Sequence, residues 1–87
     1  MKNMAQYLFT FRSVTPAQRG ERLLRRAGYT CSLRRTPRWM ESQGCGYSLR
    51  VSCDDIGICI RLLREQEVSF RKLYLQQENG SLEELTQ

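Results

Sequence analysis

The stretch Tyr7-Leu8-Phe9-Thr10-Phe11-Arg12-Ser13-Val14-Thr15-Pro16-Ala17-Gln18 changes its period halfway through. Tyr7, Phe9 and Phe11 alternate with Leu8 and Thr10, and aromatics at period two mark a strand. The alternation stops at Arg12-Ser13, and a helix start follows. Thr15 can cap it, Pro16 suits its first position because the missing N–H has no intrahelical partner there, and Gln18 completes a capping box. The spacing predicts a helix over 16–27, with Ala17, Gly20, Leu23, Leu24 and Ala27 facing inward. Arg19, Arg22, Arg25 and Arg26 fall mostly on its wet face. Gly28 stands just past the last periodic residue, where a left-handed cap ends a helix.

Outward from this stretch the same two periods recur. Tyr29 to Arg35 alternates Tyr29, Cys31 and Leu33 against Thr30, Ser32 and Arg34, a second strand. Tyr47 to Ser52 alternates Tyr47, Leu49 and Val51 against Ser48, Arg50 and Ser52, a third. Ser52-Cys53-Asp54-Asp55 resembles a second capping box, so a helix is expected from Cys53 to Gln66, with Ile56, Cys59, Ile60 and Leu63 on one side. Val68 to Leu75 reads as a fourth strand. The order β-α-β-β-α-β predicts an α+β fold: a ferredoxin-like sandwich, a four-stranded antiparallel sheet with two helices on one face. One domain is expected over 1–76, with an acidic polar tail over 77–87. The uncovered sheet face is left to water or to a partner, and a homodimer packed sheet to sheet is one way to cover it.

Composition bounds what such a domain can do. The chain has 87 residues, 40% hydrophobic and 26% charged, which is one small globular domain and not a disordered chain. Fourteen Lys and Arg against nine Asp and Glu give +5, and twelve of the fourteen are Arg. Residues 1–76 carry +8 and residues 77–87 carry −3. Arg in such excess favours bidentate contacts with anions. There is no His, which excludes His metal ligands and His general bases. No stretch has the length of a membrane span, and Met1 to Gln6 lacks the apolar region of a signal peptide. A cytoplasmic setting with reduced thiols is therefore expected. Cys31, Cys45, Cys53 and Cys59 include no C-x-x-C pair, which argues against a zinc site and a disulfide framework. No metal and no cofactor is expected.

The chemistry centres on the connection between the second and third strands. Thr36 to Gly46 is long for a hairpin, and such connections are commonly functional. Within it, Trp39 and Met40 either pack over the sheet edge or form a docking patch. Cys45 stands between Gly44 and Gly46, which leave the thiol little steric cover. Arg34, Arg35 and Arg38 precede it, and guanidinium groups lower a thiol pKa by stabilising the thiolate. Two readings stand side by side: a reactive thiol, or a small filler in a glycine-rich turn. Arg34, Arg35, Arg38 and Arg50, which flank the loop and the third strand, are the candidates for anion binding, together with the glycine backbone at Gly44 and Gly46. Cys53 is placed at a helix start, which favours a thiolate, but Asp54 and Asp55 oppose it; a surface or capping-turn cysteine is the expectation. Cys31 and Cys59 read as small core residues. With no His or Lys placed as a base, a carrier is expected rather than a catalyst.

These landmarks resemble the small bacterial family of selenium/sulfur carrier-like domains. The resemblance rests on Tyr7-Leu8-Phe9-Thr10-Phe11-Arg12-Ser13, on Leu23-Leu24-Arg25-Arg26-Ala27-Gly28, on Thr36-Pro37-Arg38 and on Ser42-Gln43-Gly44-Cys45-Gly46 before Tyr47-Ser48-Leu49-Arg50-Val51. It covers about residues 7–75. The resemblance implies a carrier whose cysteine, here Cys45, holds sulfur or selenium as a persulfide or selenopersulfide. It also implies Arg38 as the anion partner, a donor enzyme of cysteine desulfurase type and an acceptor protein. Family members often have Ser before the cysteine where this chain has Gly44, and Cys31, Cys53 and Cys59 are additional.

Two other functions fit the same residues. The strand and helix order is shared with RNA-recognition domains, which stack bases on strand aromatics; Tyr7, Phe9, Phe11 and Tyr47 occupy such strands. The third strand lacks that motif's basic residue and second aromatic, and a core position for Tyr7, Phe9 and Phe11 is the simpler account. The third option is a protein-docking module that uses the sheet face and Trp39.

Overall fold

The computed structural model describes residues 4–35 and 46–85. Its elements are β1 (Ala5–Phe11), α1 (Val14–Arg26), β2 (Thr30–Arg35), β3 (Tyr47–Cys53), α2 (Ile56–Glu65), β4 (Leu73–Gln76) and β5 (Leu82–Leu85). The strands pair antiparallel in one sheet, in the order β2-β3-β1-β4-β5. The fold is α+β, and the expected four strands are corrected to five. The fifth comes from the stretch read as an acidic tail. There Gly80, at φ +89°, makes the left-handed residue of a tight turn, and its N–H donates to Gln77 O at 2.9 Å. The turn brings Leu82 to Leu85 back along β4.

Side-chain alternation sorts the sheet into two faces. Phe9 lies opposite Leu49 and Leu73, Tyr7 opposite Val51, and Cys31 opposite Val51 from the other side. These residues meet Ala17 and Leu24 of α1 and Cys59 and Leu63 of α2 in a single core. Phe9 and Phe11, both fully buried, anchor it. Leu8, Thr10, Ser48 and Arg50 point to the opposite, helix-free face.

Element ends depart from expectation in instructive ways. α1 begins at Val14 with Ser13 at its N-cap, so Thr15 lies in the first turn and does not cap it. α2 begins at Ile56, capped by Asp55, whose Oδ1 accepts from Gly57 N at 3.0 Å. Cys53 therefore ends β3, opposite Ala5, and does not start a helix. β4 is shorter than the expected strand over 68–75. The Val68 N–H is already taken by Leu63 O at 2.8 Å, closing α2, and Phe70 leaves the ladder to pack edge-on against Phe9 with ring centres 4.8 Å apart. The chain between is tied to β1 by Lys72 N donating to Thr10 Oγ1 at 3.0 Å.

Both helices close with the same motif. After α1, Gly28 N donates to Arg25 O and Tyr29 N to Leu24 O, each at 3.0 Å, with Gly28 left-handed at φ +97°. After α2, Glu67 takes the equivalent place at φ 57° and Val68 follows inward. A side chain in that conformation costs about 1 kcal/mol that glycine does not.

Candidate functional site

The candidate site lies at the end of the sheet where β2 stops and β3 begins. Cys45, Gly44 and Arg38 lie outside the described residues, as does the Trp39-Met40 pair. The chain re-enters at Gly46, which is buried, one peptide bond after Cys45. Beside it Arg35 pairs opposite Tyr47, and Arg34 opposite Ser48. The Arg35 guanidinium carbon lies 6.0 Å from the centre of the Tyr47 ring, at the outer edge of a cation–π contact.

The three described arginines of this region, Arg34, Arg35 and Arg50, are divided by the sheet. Arg35 is in phase with Cys31 and Leu33, on the side of the helices. Arg50 lies opposite Ser32 and Leu8, on the open side. Arg35 and Arg50 therefore stand on opposite sides of the sheet. Arg34 is the residue that shares the open face with Arg50. It is a diagonal neighbour across β2 and β3, at about 7–8 Å. Strand parity decides this, since neighbouring residues of one strand must face opposite ways. The exposed Arg34 and Arg50 share this face with half-buried Ser32 and with Ser48 and Thr10, both buried.

The remaining thiols form a second, hidden group. Cys31, Cys53 and Cys59 are free and buried. Cys53 is fully buried, which corrects the expectation of a surface or capping-turn cysteine: the added length of β3 draws it under α2. Burial pushes the Cys53 thiol up to about 12, helped by Cys59 and by the negative charge of Asp54. Burial likewise lifts Cys31 to about 11, although Arg25 opposes it. Cys59 is raised by burial too, against hydrogen bonds from Cys53 and Tyr29 that favour its thiolate. Cys31 and Cys53 are thereby held protonated at neutral pH, so neither supplies a useful nucleophile. This thiol and tyrosine cluster escapes sequence reasoning because Cys53 ends β3, Cys59 lies in α2 and Tyr29 stands in the connection before β2.

Other chemistry is sparse. Among the described residues no group of three or more His, Cys, Asp or Glu is placed to hold a metal ion, and no helix is long and apolar enough to cross a membrane. Tyr7, Phe9, Phe11 and Tyr47 all lie on the helix side, whereas Tyr74, opposite Leu8, lies on the other face.

Comparison with known proteins adds one finding. The family model described as "Putative Se/S carrier protein-like" matches residues 6–75. No curated protein and no solved structure matches the chain.

Proposed function

The chain belongs to the Se/S carrier protein-like family, and from that premise we propose that it carries sulfur or selenium on Cys45 as a persulfide or selenopersulfide. One observation carries the choice of residue: the other three thiols are buried, and each is held in its protonated form. Cys45 remains, preceded by Gly44 and followed by Gly46. Arg34 and Arg35, at the end of the neighbouring strand, supply positive charge that favours a thiolate or the more acidic persulfide.

The transfer needs no oxidant. The Cys45 thiolate attacks the outer sulfur of a donor persulfide of cysteine desulfurase type. The donor S–S bond breaks as the new one forms, and the donor leaves as a thiolate that takes up a proton. Delivery to an acceptor protein reverses the roles: a nucleophile on the acceptor takes the outer atom and Cys45 leaves as thiolate. A selenopersulfide follows the same course. The chain then needs an accessible thiol and a docking surface, and no catalytic base or cofactor.

We also read the β2-β3-β1-β4 part of the sheet as a ferredoxin-like arrangement to which β5 adds an edge. What supports this is the strand order, the antiparallel pairing and the helices on one face. The test of function is loading with a cysteine desulfurase and cysteine, followed by mass spectrometry of peptides under non-reducing conditions. The sulfur adduct is expected on the Cys45 peptide and absent in Cys45→Ser. An adduct that persists unchanged in Cys45→Ser, on any other thiol, overturns the reading.

A further inference from the structure

α1 carries four arginines, and the structure gives them different employment. Arg25 is occupied: its guanidinium pairs with Glu21 at 3.4 Å and donates to Cys31 O at 3.1 Å. Arg19 donates from Nη2 to Gln66 O at 3.0 Å, the carbonyl of the residue that caps α2. Arg22 and Arg26 have no carboxylate partner among the described residues. Arg19, Arg22 and Arg26 follow one another at i, i+3 and i+7, a single stripe about 10 Å long on the helix.

That stripe borders a groove of about 210 Å³ between α1 and the turn after α2, lined by Arg19, Arg22, Leu23, Arg26, Gln66 and Val68. Leu23 is half-buried and Val68 buried, so the apolar part of the lining is largely tucked under the guanidinium rim. The groove is distinct from the β2–β3 end: it is built by the helices, whereas Arg34 and Arg50 stand on the other side of the sheet.

We propose that this groove docks an acidic segment of a partner protein, with glutamate side chains seated between Arg22 and Arg26. Charge complementarity carries the assignment. Two guanidiniums with no carboxylate partner among the described residues can each take a carboxylate in a two-point fork, and the Leu23 and Val68 surface accepts the methylenes of a glutamate stem. A nucleic acid fits less well. Its bases find no aromatic in the lining, and phosphates alone would be drawn to arginines on every side of the body, including Arg34 and Arg50. A second copy, offering its acidic β4–β5 hairpin, is the remaining occupant. The docking does not depend on Cys45, so sulfur loading and groove binding can fail separately.

The test uses the full chain and fluorescence anisotropy at low salt. The probes are a labelled peptide of alternating Glu and Leu, the same peptide with Gln for Glu, and an oligouridylate of equal charge. The Glu peptide is expected to bind more tightly than the other two. Its affinity should fall by about tenfold or more in Arg22→Ala/Arg26→Ala and remain within about twofold in Arg34→Ala/Arg50→Ala. Circular dichroism and the melting temperature confirm that both variants are folded; these four side chains are exposed. Equal losses in the two variants would mean attraction to net charge alone, and the proposal falls. It falls equally if the Glu peptide does not bind, or if the oligouridylate binds more tightly and the helix variant alone loses it. Concentration-dependent self-association in sedimentation, abolished by Arg22→Ala/Arg26→Ala, would assign the groove to a second copy and overturn the partner reading.

Discussion

The two faces of the sheet are made by the same alternating strands and have opposite chemistry. On the covered face, Phe9, Leu49, Val51 and Leu73 meet the helices, and three thiols lie in hydrocarbon where ionisation is suppressed. On the other face, Arg34 and Arg50 hold exposed charge beside the hydroxyls of Ser32, Thr10 and Ser48, the last two buried with Leu8. The difference teaches that a cysteine's chemistry in this protein is set by its strand phase and its cover. Cys31 and Cys53 are inert because of the side of the strand on which they fall.

The sharpest way to break this contrast is to empty the covered face. Phe9→Ala is expected to cost about 3–5 kcal/mol in urea unfolding, because a fully buried aromatic leaves a cavity that the sheet cannot close. A loss below about 1 kcal/mol would mean that the face is loosely packed. The thiols supply the next effect. Their pKa values are raised on folding, to about 11 for Cys31 and about 12 for Cys53, so the folded state holds protons that the unfolded chain releases. Stability from these groups is complete below pH 9 and falls as the pH climbs through 9 towards 11 and 12, by up to about 1.4 kcal/mol per pH unit for each thiol. Denaturant melts at a series of alkaline pH values measure the slope, and Cys53→Ala should make it shallower over that window.

Smaller effects sharpen the comparison at the margins of the covered layer. Gly28→Ala is expected to cost about 1 kcal/mol and Glu67→Gly to gain a similar amount, since the two occupy the same left-handed place after α1 and α2. Thermal melts of both variants with the parent check the opposite signs. The smallest effect belongs to the open face. Arg50→Ala should change stability by no more than about 0.5 kcal/mol, because its side chain is exposed and no carboxylate pairs with it among the described residues. A larger loss would show that this face is packed against something.

Much of the architecture was legible in the residues. The aromatic alternation of Tyr7, Phe9 and Phe11, the helix before Gly28 and the core roles of Cys31 and Cys59 all rest on local period and size. The fifth strand has a local signal too, the hairpin dipeptide Asn79-Gly80, but the acidic residues around it give the stretch the composition of a tail. The position of Cys53 was not legible. Ser52-Cys53-Asp54-Asp55 satisfies the rules for a helix start, and only pairing with Ala5 keeps Cys53 in β3. Glu67 is likewise unmarked in sequence, since its left-handed backbone is imposed by closing α2 and burying Val68.

By itself the sequence determined the succession of the first four strands and the two helices, the basic body and the setting of Cys45 between two glycines. Those are properties of neighbours along the chain. Only the tertiary structure decided that Arg35 and Arg50 stand on opposite sides, that Cys53 and Cys59 meet Tyr29 in the interior, and that Arg22 and Arg26 border a groove. Each of these depends on register and on helix packing. Both join residues far apart in the chain, and local periodicity carries no information about them.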